Sequence, residues 1–161
     1  MIVISDTSCL CYLARLGCAA VLEKLYDQVF IPPTVAAELI AGVVTHPEID
    51  SLLAEPWLQV RTLEHPPVAG DFPQNIDAGE AQAIRLAQEM RADFLLIDDL
   101  AGRRMASDMG IPIIGILGMF SEARRQGLIG PLRPLFIKLV DALGFRVAPH
   151  IIEAILKEVG E

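Results

Sequence analysis

Two short apolar runs in this 161-residue chain end in acids: Ile2–Ser5 runs into Asp6, and Phe94–Ile97 runs into Asp98 and Asp99. Two further carboxylates stand out. Glu38 interrupts the otherwise apolar stretch TVAAELIAGVV, where an unpaired buried charge would be costly. Glu80 follows Gly79 in DAGEAQAI, in the first turn of an expected helix that Asp77 caps. Each acid also has an ordinary structural reading. An aspartate after a strand caps the next helix, Glu38 turns a polar helix face to water, and Glu80 complements a helix dipole. Brought together from separate segments, four carboxylates without His or Cys are a ligand set for hard divalent cations such as Mg2+ or Mn2+. Such ions activate water and stabilise a phosphodiester under attack. A phosphoryl-accepting receiver domain would use similar acids, but it expects a Lys at the end of its last strand. The stretch IPIIGIL has none, and the only lysines are Lys24, Lys138 and Lys157.

No Ser–His or Cys–His pair is expected around these acids, so a side-chain nucleophile is not required. His46, His65 and His150 stand in loop-like, Pro-rich contexts away from Cys9, Cys11 and Cys18, which argues against a four-ligand zinc site. The three cysteines are expected as reduced, helix-packing residues. Arg103 and Arg104 follow the Asp98-Asp99 turn by about one helical turn, and Arg124 and Arg125 end the following helix. All four are candidates for gripping phosphates; the ordinary alternative is that Arg is a good helix former that favours helix C-termini.

Positioning these acids falls to short strands alternating with helices. Strands are predicted at Ile2–Ser5, Val29–Ile31, Leu58–Thr62, Phe94–Ile97 and Pro112–Ile114. Helices are predicted at Cys9–Leu16, Ala19–Leu25, from Pro32-Pro33-Thr34 through Ala41, at Ile49–Ala54 and at Ala78–Met90. Others run from Asp98-Asp99 through Met109, from Leu117 to Gln126, over Leu135–Leu143 and over Pro149–Val159. His65 to Gln74, with three prolines and a glycine, is the best loop candidate. This alternation predicts an α/β fold with a central, mostly parallel sheet of four or five strands covered on both faces. Ligands in such sheets bind beyond the carboxyl ends of the strands, where Asp6, Asp98 and Asp99 fall.

Length fits one domain spanning 1–161, with 130–161 as a C-terminal helical extension. At 53% hydrophobic and 21% charged residues, disorder is excluded as the dominant state. A membrane span is not expected, because the longest stretch without a charge, Met109–Ser121, is interrupted by Pro112 and three glycines. MIVISD lacks the basic and apolar regions of a signal peptide, so a cytoplasmic location is expected. The net charge of −8 lies in residues 1–80, with 11 acids against 3 bases, while residues 81–161 balance at 10 and 10. That argues against a general polyanion binder and leaves room for a local phosphate-reading face. The mean hydropathy of +0.46 suggests a partner face, with Leu10, Tyr12, Leu13 and the terminal AILKEVG as candidates.

The pattern SDTS at Ser5–Ser8 and PPTVAAE at Pro32–Glu38 resembles the start of a PIN-domain ribonuclease. DAGEAQAIRLA at Asp77–Ala87, FLLIDDLAGRRMA at Phe94–Ala106 and GIPIIGILGMFSEARRQGLI at Gly110–Ile129 continue it, in the style of a bacterial and archaeal branch akin to VapC-type toxins. The resemblance covers nearly the whole chain in order. It implies a PIN-like three-layer α/β/α fold with C-terminal helices and a metal-dependent endoribonuclease using Mg2+ or Mn2+. Asp6 would be central, with Ser8 as its hydroxyl partner; Glu38 and Glu80 would follow, and Asp99 would be the fourth acid, with Asp98 as second choice. The resemblance further implies an RNA substrate, a homodimer, and the toxin role of a toxin–antitoxin pair held by a small antitoxin protein. Two positions depart from the pattern: Ile97 stands where many relatives carry Thr, and Glu80 where many carry Asp. They sustain an alternative, a catalytically silent PIN-fold binding or regulatory module.

Overall fold

The computed structural model describes residues 1–161. Five strands, β1 (Val3–Ser5), β2 (Val29–Ile31), β3 (Leu58–Val60), β4 (Phe94–Leu96) and β5 (Ile113–Ile114), pair side by side in the order β3-β2-β1-β4-β5. Every pairing is parallel. The helices between them are α1 (Thr7–Leu16), α2 (Val21–Tyr26), α3 (Pro33–Gly42), α4 (Glu48–Leu53), α5 (Ala78–Glu89), α6 (Leu100–Asp108) and α7 (Ile116–Arg125). After the sheet come α8 (Leu132–Ile137), a wide π-helical turn (Lys138–Ala142) and α9 (Pro149–Glu158).

Period-two alternation along the strands splits the interior into two apolar layers. Val3, Val29, Ile31 and Leu96 face one cluster, completed by Leu10, Leu13, Leu22, Leu39, Phe120, Phe136 and Leu156 from the helices. Ile4, Phe30, Leu95 and Ile97 face the other, against Ala83, Ile84 and Leu86 of α5 and Ala106 of α6. Burial on both faces explains why these strands read as continuous apolar runs. The result is the expected three-layer α/β/α architecture with an all-parallel sheet.

The strand order places the site. From β1 the chain winds outward through β2 and β3, then crosses back to β4 on the other side of β1 and continues to β5. A crevice opens where the winding reverses, at the carboxyl ends of β1 and β4. Their register pairs Ser5 with Leu96, and the Asp6 N–H donates to the Leu96 carbonyl at 3.1 Å, so Asp6 and the Asp98-Asp99 pair leave the sheet side by side.

Several local expectations are corrected. The first helix begins at Thr7 rather than Cys9, because Asp6 caps it by accepting the Cys9 N–H at 3.0 Å. The eighth begins at Leu132 rather than after Pro134, because a first-turn residue needs no N–H for the ladder. Leu10 and Leu13 cannot form a partner face, since both are fully buried. Helix α9 likewise spends Leu156 on the core, with Ile152, Ile155 and Val159 packed against it. No helix is long and apolar enough to cross a membrane.

Candidate active site

Asp6 is 2% exposed, and its carboxylate is held by neutral groups alone: the Cys9 N–H on Oδ1 and the Ser8 hydroxyl on Oδ2 at 3.2 Å. Burial pushes its pKa up to about 7, and the negative charge of Asp98 acts in the same direction. Capping and site membership therefore coincide in Asp6, because Oδ1 makes the cap while Oδ2, which accepts only the Ser8 hydroxyl, keeps a lone pair for a further contact.

Glu38 reaches the same place from the far side. Pro32 and Pro33 start α3 directly after β2, with Pro33 in the first turn, and α3 carries Glu38 against the start of α5. Its carboxylate accepts from the Thr7 hydroxyl and lies over Gly79, where a Cβ would stand 2.5 Å from one carboxylate oxygen. Glu80 is set by a capping box. The Glu80 N–H donates to Asp77 at 2.8 Å, and the Asp77 N–H donates to the Glu80 carboxylate at 3.1 Å. Burial raises Glu80 to about 7, followed by the charges of Asp77, Asp99 and Asp6. Asp77→Ala is expected to lower stability by about 0.5–2 kcal/mol by removing this cap. Thermal unfolding checks it, and an unchanged melting temperature would contradict it.

The pair after β4 divides. Asp99 caps α6 by accepting the Gly102 N–H at 3.0 Å and is exposed. Asp98 accepts from the Ile116 N–H at the start of α7 and from the Cys9 thiol at 3.0 Å. Burial raises the Asp98 pKa, offset by the Cys9 and Ile116 hydrogen bonds and by the positive charge of Arg103.

Asp6, Glu38 and Glu80 thus open onto one cleft of about 420 Å³, also lined by Asp77, Thr7, Ser8, Cys11, Tyr12, Arg15 and His46. Asp98 and Asp99 flank it, close enough to act on Asp6 and Glu80 respectively, without lining it. None of these five predicted carboxylates is in an ion pair. No three His, Cys, Asp or Glu side chains stand together so as to hold a metal ion as they are, and Glu38, Glu80 and Asp99 each bond to the protein itself. The donor chemistry nonetheless fits a hard divalent cation: all-oxygen ligands, a buried carboxyl without a cationic partner, and a glycine that leaves room for Glu38.

Sequence reasoning missed much of the cleft wall. Thr7, Cys11 and Arg15 repeat at the four-residue spacing of one helix face, beside the already expected Ser8, and that periodicity is a signal that could have found these three. His46 carried no such signal; the turn after α3 brings it in. Cys11 and His46 line the same cleft without a hydrogen bond between them. They do not constitute a nucleophile, because burial and the charges of Asp6 and Glu38 push the Cys11 thiol up, away from thiolate, against the opposing effect of Arg15. Cys9 is likewise more than a packing residue, since its thiol bonds Asp98. All three cysteines are free.

Among the predicted arginines, Arg103 stays beside Asp98, with one Nη donating to the Ile97 carbonyl at 2.9 Å, and Arg104 is exposed on α6. The structure does not bring Arg124 and Arg125 to the cleft. They end α7, roughly 13 Å along the helix from its contact with Asp98, and pair with Glu161, Glu122 and Glu158.

A family model described as a PIN domain matches residues 2–161. Among solved structures, a PilT N-terminus domain protein from the hyperthermophilic archaeon Sulfolobus solfataricus P2 superposes with a TM-score of 0.55. The match is 23% identical and covers 76% of this chain and 93% of that one, a likeness of fold. No curated protein matches.

Proposed function

Because the chain belongs to the PIN domain family, a nuclease-type fold, we propose that it is a metal-dependent endoribonuclease using Mg2+ or Mn2+ to hydrolyse RNA phosphodiesters. The observation that carries this reading is the buried Asp6 carboxyl, without a cationic partner, facing Glu38 and Glu80 across one cleft.

In this reading Asp6, Glu38 and Glu80 hold the ion, with Asp99 as the fourth acid and Asp98 as second choice. When bound, a divalent ion supplies charge stabilisation to the phosphodiester under attack and lowers the pKa of water. The protein's own part is orientation. The Ser8 hydroxyl and Cys9 N–H fix the Asp6 carboxylate, and Thr7 fixes Glu38. The Asp77 box presents Glu80 at the head of α5. No side-chain nucleophile is needed, in keeping with the raised Cys11 pKa. Ile97, where many relatives carry Thr, packs into the core cluster with α5 and α6.

The proposal extends to the toxin role, a homodimer and a small antitoxin partner. Exposed Ile137 and Ile151, both near the C-terminal helices, support such a face in place of Leu10 and Leu13. A cytoplasmic location suits three free thiols.

Incubating bulk RNA with the purified protein and Mn2+ is expected to give new 5′ and 3′ ends, lost when EDTA replaces the metal. RNA that stays intact with Mn2+ while the protein still binds that ion would favour the silent binding module.

A further inference from the structure

Beside the acidic cleft lies a second hollow of about 460 Å³, lined by Asp98 and Arg103 at one end and by Phe145 and Arg146 of the segment before α9. Tyr12 lines the cleft, Phe145 lines the second hollow, and the two rings meet edge to face at 5.4 Å. The pair forms an aromatic ridge between the hollows. Asp98, then Arg15 on the cleft side and Arg146 on the other, lie within electrostatic reach of the Tyr12 hydroxyl. Neither arginine is in an ion pair, and nor is Arg103, whereas Arg124, Arg125 and Arg133 at the other end of the C-terminal layer all are.

We propose that a single nucleic-acid strand crosses this ridge, its phosphates met by Arg15, Arg146 and Arg103 and an unstacked base resting on Tyr12 and Phe145. Arg15 and Arg146 have no ion-pair partner, and Arg103 stands beside Asp98 without pairing with it; in a chain whose net charge is −8 they form a strip of three cations along the edge of the acidic site. Arg103 commits one N–H to the Ile97 carbonyl, which fixes the guanidinium and leaves its other donors for phosphate oxygens. An aromatic pair between flanking cations suits a strand whose bases are splayed out, not a duplex. The strip passes Asp98 and Asp6, so the strand would lie across the acids. This inference rests on the nuclease reading for its purpose, but on the ridge and the unpaired arginines for its geometry.

Fluorescence anisotropy with a short labelled 2′-O-methyl oligoribonucleotide of mixed sequence, in Mg2+ buffer, tests it. Arg146→Gln and Arg15→Gln should each weaken binding roughly three- to tenfold and reduce the salt slope by about 0.7 per lost phosphate contact. Lys24→Gln, which removes an exposed charge from α2, should leave affinity within about twofold. An unlabelled duplex of the same length should compete poorly. Wild type that fails to bind, Arg146→Gln with unchanged affinity and salt slope, or equal competition by the duplex would overturn the proposal. The nuclease reading fails separately: a protein that binds no Mn2+ and cuts no RNA, yet binds the oligonucleotide through Arg146, would keep the strip and lose the enzyme.

Discussion

Asp6→Asn is expected to lower Mn2+-dependent RNA cleavage by at least on the order of 10²-fold, and at the same time to raise the melting temperature of the metal-free protein near pH 8. Both effects follow from one buried carboxyl. Its folded pKa of about 7 lies above the ordinary value of 3.8, so the folded state holds a proton that the unfolded state has released between those two pH values. Folding stability in the absence of metal therefore falls as pH rises from about 4 to about 7 and levels off above. A tenfold difference in proton affinity between the two states corresponds to about 1.4 kcal/mol, so the neutral amide should recover a few kcal/mol, or roughly 10 °C. Asn still accepts the Cys9 N–H, so the cap is kept. Melting curves in EDTA should show the mutant and wild type converging near pH 4 and the gap opening towards pH 7. Glu80 contributes in the same direction to the wild-type slope and is unaffected by the substitution. A mutant less stable than wild type near pH 8 would mean that Asp6 is a structural cap and not a strained ligand.

Gly79→Ala separates site from fold in the opposite manner, because it adds nothing polar and removes no ligand. The new Cβ would stand 2.5 and 2.6 Å from the two carboxylate oxygens of Glu38, so that carboxylate must leave its place and its bond to Thr7. The displaced group is the far end of a flexible side chain, and Ala favours a helix over Gly by up to about 1 kcal/mol. Overall stability should stay within about 1 kcal/mol of wild type, while Mn2+ affinity drops at least about tenfold and cleavage drops with it. Unchanged affinity with an unchanged melting temperature would remove Glu38 from the ligand set.

The architecture was legible because the physics that builds it is local. Val29–Ile31 is an apolar run of β-branched and aromatic residues and is a strand with those bounds. Ala78 opens a helix because Asp77 and Glu80 form a box that can be read three residues apart. Aspartates at the ends of two strands meet at one crevice because parallel winding reverses between β1 and β4, a property of topology that the alternation of elements already implied. What escaped depends on contacts far apart in the chain. Nothing near His46 marks it as a neighbour of Asp6, and nothing near Cys9 marks its thiol as the partner of Asp98, 89 positions on. Arg124 and Arg125 read as phosphate ligands until Glu158 and Glu161, from the end of the chain, are seen to pair with them. Leu10 and Leu13 read as a surface stripe because the sequence does not show that α1 is covered by the C-terminal helices, whose Phe136, Leu139 and Leu156 share its cluster.

Calorimetric titration of Mn2+ into the wild-type protein near pH 8, with Asp6→Asn alongside, needs no knowledge of the RNA. Saturable binding in wild type that vanishes in the mutant is the expected result, and it would locate the ion at the Asp6, Glu38 and Glu80 cleft. Equal binding in both, or none in either, would contradict a metal centre built on Asp6.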